Sequence, residues 1–351
     1  MFFKTKKEVF GLDIGSHSIK LIELKKSKRD YKLKTAGIKL LPKDTIIDGS
    51  IMDSTTFIDT VRSLLTEAKP STKFVALSVS GQGVIVKKIN VPFITEEELA
   101  NAIQWETEQY LPFNIQDVYC DFKILGESAE IQGQLDVLLV AAKKDLVDDY
   151  QNAIREVGLE PLVVDVDAFA LQNMYELNEP ILEDKVVMLA NLGASFSNIN
   201  IVKNGLSLFT RDVIWGGNKV TESLQKNLGI TFEDAESVKC GKPMEGIDIN
   251  EVSAIIAQEI DNVVNEIQRT INFFYNSNPN DVIDKIVLYG GTAQLNGLID
   301  AIKEKLGLVV ELGNPFKRIA VDRSFWNKGL QNYSIQTAIA VGLAIRRLGD
   351  R

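Results

Sequence analysis

The sequence predicts an α/β protein made of two copies of one lobe, with a smaller unit inserted into the first copy. Two observations carry this. A strand, tight turn and strand from Val9 to Leu24, with Asp13 at its bend, return as Val186 to Val202, where Asn191 takes the place of Asp13. Between Gly83 and Gly158, by contrast, lies a block that the second half does not repeat.

Each hairpin runs on into a further alternating segment, Tyr31 to Ile38 in the first half and Leu206 to Ile214 in the second, which predicts two three-stranded meanders. Helical spacing follows over Thr56 to Ala68, before the apolar strand Phe74 to Val79. In the second half Lys219 to Leu228, Phe232 to Lys239 and Val252 to Tyr275 read as helices. The last of these sets Ile256, Ile260, Val263, Val264, Ile267, Ile271 and Phe274 near one face. A strand Lys285 to Tyr289 ends at Gly290-Gly291-Thr292, with a helix from Leu295 to Lys305 behind it. The final helix, Ile335 to Leu348, carries Ala338, Ala340, Gly342 and Ala344, small enough for close packing at a hinge between lobes. Inside the unrepeated block the pattern is strand Val84 to Val91, helix Thr95 to Tyr110, strands Val118 to Leu125 and Leu135 to Ala142, then helix Lys143 to Val157.

Composition narrows the function classes. A chain of 351 residues with 45% hydrophobic and 25% charged residues is long enough for two cores. A net charge of -9 opposes the extended basic surface that nucleic-acid binding needs. Cys120 and Cys240 stand far apart, with no metal-ligand spacing, as in a reduced cytoplasmic protein. The basic start, Met1 to Lys7, is followed by a strand rather than the apolar core of a signal peptide, and reads as a fraying terminus although Phe2 and Phe3 offer a weak lipid contact. No run reaches the ~20 apolar residues of a spanning helix, so membrane contact is expected only through partners.

The first bend gathers Asp13, Gly15, Ser16, Ser18 and Lys20. A glycine turn brings backbone N–H groups to a phosphate, the lysine adds positive charge, and the aspartate holds a metal-bound water. Alone such a turn is an ordinary hairpin; a pair from duplicated lobes can grip a polyphosphate from both sides. His17, the only histidine, reads as an exposed bend residue.

At Gly11 to Lys20, Asn191 to Ser195 and Tyr289 to Ala293 the chain resembles the two phosphate motifs and the adenosine motif of the actin, sugar kinase and chaperone ATPase superfamily. Phe10-Gly11-Leu12-Asp13-Ile14-Gly15-Ser16, the stretch Trp105 to Phe113 and Ala340-Val341-Gly342-Leu343-Ala344 sharpen the resemblance to the PilM family of type IV pilus assembly proteins. The implied fold is actin-like (ribonuclease H-like). Subdomain 1A would take residues 8–82 and 160–184, the 1C insertion 83–159, subdomain 2A 185–215 and 284–330, and 2B 216–283. Residues 331–351 would pack back on 1A.

The resemblance implies ATP and Mg2+ as ligands. It places Gly15, Ser16, Ser18 and Lys20 at the phosphates, Gly193, Ala194 and Ser195 on the opposing loop, and Gly216, Gly217, Glu236, Lys239, Gly290, Gly291 and Thr292 around the nucleoside. Asp13 would hold the magnesium through water, with Asn191 as a further water-mediated contact. Glu236 and Lys239 alone would read as an exposed ion pair. Asn191 stands where active relatives offer Asp, and an amide is no carboxylate base, so binding is expected ahead of turnover.

As partners the resemblance implies the N-terminal cytoplasmic tail of PilN, with Tyr110 and Leu111 as contacts, and the pilus assembly motor ATPase. Location would be cytoplasmic, peripheral at the inner face of the membrane. A sugar kinase of the same superfamily and an FtsA-like division protein are the alternatives. The first is disfavoured by the lack of a histidine and cysteine zinc motif, the second by the lack of a membrane helix after Arg351.

Overall fold

The computed structural model describes residues 7–27, 30–108, 110–128 and 131–350, apart from the side chains of 104–107. Phe2, Phe3 and the Trp105 side chain lie outside that set.

The first lobe opens with β1 (Phe10–Ile14), β2 (Ser18–Ser27) and β3 (Asp30–Leu40), then a short hairpin of β4 (Ile46–Ile47) and β5 (Ser50–Ile51), helix α1 (Ser54–Ala68) and β6 (Phe74–Val79). Asp53 caps α1, its carboxylate accepting from the Thr56 N–H at 3.0 Å, which satisfies a donor the helix leaves open. Next come β7 (Val84–Pro92), α2 (Glu96–Glu108), β8 (Val118–Glu127), β9 (Gln134–Lys143), α3 (Lys144–Glu156), β10 (Glu160–Val166) and α4 (Asp167–Asn178).

The second lobe has β11 (Val186–Leu192), β12 (Ser197–Lys203), β13 (Leu206–Val213), α5 (Gly217–Leu228), α6 (Phe232–Lys239) and the long α7 (Ile249–Ser277). It continues with β14 (Ile283–Tyr289), α8 (Leu298–Leu306), β15 (Val309–Leu312), β16 (Ile319–Ala320), α9 (Arg323–Asn327) and α10 (Ala338–Ala344).

The two large sheets have matching topology. One runs β10-β6-β1-β2-β3-β16, the other β13-β12-β11-β14-β15. In each, an antiparallel three-strand meander is extended on one side by two parallel strands, and the first sheet gains β16, parallel to β3, at its other edge. The third sheet, β7-β9-β8, is antiparallel. It buries Ile89, Val91, Phe122, Val137 and Leu139 beneath Leu99 and Ile103 of α2, a separate small core.

Packing moves one boundary. The sequence groups α3 with the insertion, yet Ala153 and Ile154 of α3 join Phe10, Leu12, Phe57 and Val61 in the core of the first sheet. This helix does for β6 and β10 what α8 does for β14 and β15. The expected final helix is also interrupted: residues 334–337 form a 3-10 turn, and only Ala338–Ala344 are α-helical. On α7 the burial stripe follows expectation, except that Ile256 is only half-buried.

α10 and α4 cross at very short range. A Cβ on Gly342 would lie 1.7 Å from the Ala170 carbonyl oxygen, and one on Gly11 of β1 would lie 2.1 Å from the Ala340 carbonyl. Both obstacles are backbone, which cannot swing aside. Gly342→Ala is therefore expected to destabilise the fold by an overpacking cost of about 1–3 kcal/mol or more, read as a lower urea midpoint. An unchanged midpoint would show that α10 can shift without loss.

Candidate functional site

Between the two sheets lies a cleft of about 550 Å³, and the two duplicated turns reach into it. They close alike: the Gly15 N–H donates to the Ser18 carbonyl (3.1 Å), and the Gly193 N–H to the Phe196 carbonyl (3.0 Å). They also meet, with the Ser16 and Ser195 hydroxyls 2.8 Å apart and the Asn218 amide donating to Ser195 Oγ at 3.2 Å. Two N–H-bearing turns from different lobes thus face one volume, a geometry suited to oxyanions.

Two lysines stand in the cleft. Lys20 Nζ lies 3.2 Å from Asp13 Oδ2, both largely buried. Lys239 Nζ donates to Glu236 Oε2 (2.6 Å), Thr221 Oγ1 (2.9 Å) and the Gly217 carbonyl (3.2 Å). The pair is not the solvated i,i+3 bridge its spacing suggests. Burial pushes the Glu236 carboxyl up, but Lys239 and the Thr221 hydroxyl outweigh it and hold the group below its ordinary value.

His17 is not an exposed bend residue. It is half-buried in the cleft, and its imidazole is held below its ordinary value, first by burial and then by Lys239 and Lys20, against the pull of Glu236. It is therefore neutral near pH 7.

The third turn is anchored to the second. Thr292 Oγ1 donates to the Gly193 carbonyl at 2.7 Å. Gly290 has a φ of 86°, and a Cβ there would sit 2.3 Å from the Leu192 carbonyl, so only glycine lets the chain leave β14 this way. Gly291 and Gly217 also line the cleft, as do Ser18 and Ala194. Gly216 does not. It precedes α5, with Ala194 O only 2.4 Å from where its Cβ would be, and it supports the wall from behind.

Tyr110 and Leu111 are only partly exposed. Both are half-buried against the small core of the third sheet, and Lys87 Nζ sits 5.0 Å from the Tyr110 ring centre. Glu98 closes a capping box with Thr95 at the start of α2, accepting from its N–H at 2.8 Å.

Sequence reasoning missed Asp167, the first residue of α4, at the back of the cleft. Its carboxyl is pushed up to about 7, chiefly by burial, then by the charge of Asp13 and more weakly of Asp212, with Ser78 and Ser80 opposing. An acid opening the helix after the last strand of the first sheet is its only sequence signal.

This geometry defines a class: a two-lobed protein of actin-like fold with a polar cleft between its lobes. MreB5 of Spiroplasma citri bound to AMPPNP has the same fold at 12% identity, with a TM-score of 0.54 and 97% and 95% of the two chains covered. Cell division protein FtsA of Streptococcus pneumoniae is 22% identical over 353 residues, spanning 87% of this chain and 75% of that one. Residues 11–348 match the family described as type IV pilus assembly protein PilM, and the chain belongs to that family. It is also similar, at 28% identity with a TM-score of 0.85, to a chain of a solved PilM-PilN type IV pilus biogenesis complex, with 97% of this chain and 98% of that one covered.

The raised Asp167 carboxyl has a signed consequence. Its ordinary value is 3.8 and its folded value about 7, so between them the unfolded chain has released a proton the folded chain keeps. Rising pH then favours unfolding: stability from protonated Asp167 is full below about pH 4 and is lost as pH climbs through about 7. Asp167→Asn should flatten that fall, measured as urea midpoints across the range. An equal slope in both proteins would mean the carboxyl is solvated.

Proposed function

We propose that the chain is an ATP-binding component of the type IV pilus inner-membrane assembly platform that captures the N-terminal cytoplasmic tail of PilN. The observation that carries the reading is the full-length similarity to a PilM-PilN complex chain, joined to a cleft in which two phosphate-type turns face each other.

In this reading the Gly15 to Ser18 turn and the Gly193 to Ser195 turn hold the phosphates, with Lys20 supplying charge. Gly217, Glu236, Lys239, Gly290, Gly291 and Thr292 border the nucleoside. Magnesium suits the acidic end, because Asp13 and Asp167 already repel one another there. Among the described residues no three His, Cys, Asp or Glu gather into a metal cage, so Asp13 and Asn191 would act through water with the phosphates completing the shell. When bound, the cation neutralises phosphate charge. Asn191 contributes no charge or base, which favours holding ATP over turning it over.

The tail belongs at the third sheet. Tyr110 and Leu111 offer apolar surface there, Phe93 is 61% exposed on the same unit, and the exposed Glu97 and Glu108 attract a basic segment. No helix among the described residues is long and apolar enough to cross a membrane. In this reading PilN and the motor ATPase are the partners that hold the chain at the platform.

Titration calorimetry with magnesium-ATP should detect binding that weakens about tenfold or more in Lys20→Ala and Lys239→Ala, each losing a charged hydrogen bond. Absence of heat from the unaltered protein would reject the cleft assignment. Fluorescence anisotropy of a labelled PilN tail should report binding that Tyr110→Ala or Phe93→Ala reduces, once circular dichroism shows both variants folded. If the unaltered protein leaves the tail free, the partner assignment falls.

A further inference from the structure

Strand register sets three polar side chains in one row across the second sheet. Asn191 of β11 pairs with Asn198 of β12, and Asn198 with Asp212 of β13. The matching row of the first sheet is Asp13, Lys20 and Ile38, which ends in an apolar residue. The third polar position is peculiar to the second lobe, and it leads somewhere.

Asn191 Nδ2 donates to Asn198 Oδ1 at 3.3 Å, and Asn198 Nδ2 donates to Asp212 Oδ1 at 2.9 Å. Asp212 Oδ2 then accepts the backbone N–H of Gly81, in the other lobe, at 2.5 Å. Gly81 is the root of the third sheet. Its carbonyl accepts the Val84 N–H (3.1 Å) where β7 begins, and the Gly83 carbonyl accepts the Lys143 N–H (2.9 Å) where β9 ends. Phe196, which lines the cleft beside the second turn, also borders Gly81.

We propose that this chain of amides couples occupancy of the cleft to the third sheet, so that nucleotide and tail bind cooperatively; the inference rests on the function proposed above. It also explains why residue 191 is an amide. Asn198 is almost fully buried and has one donor end and one acceptor end. Its donor end serves the Asp212 carboxylate, so its acceptor end faces residue 191, which must donate. A carboxylate at 191 would oppose acceptor to acceptor, and turning Asn198 round would only move that clash to Asp212.

Exchanging the two end groups reverses the polarity of the chain without breaking it. With Asp at 191 and Asn at 212, Asn198 donates to residue 191 and accepts from residue 212, whose carbonyl still takes the Gly81 N–H. The net charge is unchanged.

The test measures the affinity of a labelled PilN tail for the full chain, by anisotropy, with and without saturating magnesium-ATP. The unaltered protein should show a difference of at least about fivefold. Asp212→Asn, at a position outside the cleft lining, should abolish that difference while retaining tail binding, and adding Asn191→Asp to it should restore the difference. Equal affinities with and without ATP in the unaltered protein, both ligands binding, would overturn the coupling and leave the proposed function standing. Failure of either ligand to bind overturns that function and the coupling with it. A second measurement needs no variant: hydrogen exchange over residues 79–92 should slow on adding ATP, and unchanged exchange there would sink the proposal.

Discussion

The whole architecture depends on how closely two helices can approach between the lobes. α4 follows the last strand of the first sheet and α10 closes the second half, and both lie against the strands that carry the cleft turns. With Gly342 against the Ala170 carbonyl and Gly11 against the Ala340 carbonyl, the contact is backbone to backbone. Such contacts have little compliance, because interiors are packed to crystal density and carbonyl groups cannot change rotamer. The core records the consequence: Ile22, Leu24 and Leu33 of the first sheet belong to one continuous apolar cluster with Leu171 of α4, Val341 of α10 and most of the second lobe. The turns at Gly15 and Gly193 thus face each other because the helices behind them cannot drift.

Much of this was legible in the sequence, and the limits of legibility have physical causes. The hairpins, the meanders and the long α7 were readable because periodicity and glycine punctuation are local properties. The boundary around α3 was not, because a helix carries no mark of which sheet it covers; only the contacts of Ala153 and Ile154 decide it. The interruption before α10 escaped for a similar reason, since an apolar small-residue run looks equally helical throughout.

The candidate site divides in the same way. Residues on the glycine turns were found because each turn is a contiguous string. Asp167, Asn198 and Asp212 were missed because they enter the cleft region through strand register and through the start of a helix, which no local window reveals. His17 was seen but given the wrong surroundings, whereas the Glu236 and Lys239 pair was set at the cleft by the family resemblance alone, its spacing suggesting only a solvated bridge. Whether an i,i+3 pair is solvated depends on what packs over it, here Gly217 and Thr221 of the preceding helix α5.

The third sheet joins the rest of the chain through two neighbouring strand ends, the entry at Gly83 and Val84 and the exit at Lys143, with its own core beneath α2. An appendage attached by a single narrow stem can be remodelled with little effect on the body that bears it. A substitution in its loops or on the exposed face of its helix leaves the carbonyl contacts between the lobes untouched. Residues 84–143, fewer than a fifth of the chain, can therefore vary with little effect on the packing that keeps the cleft turns facing each other.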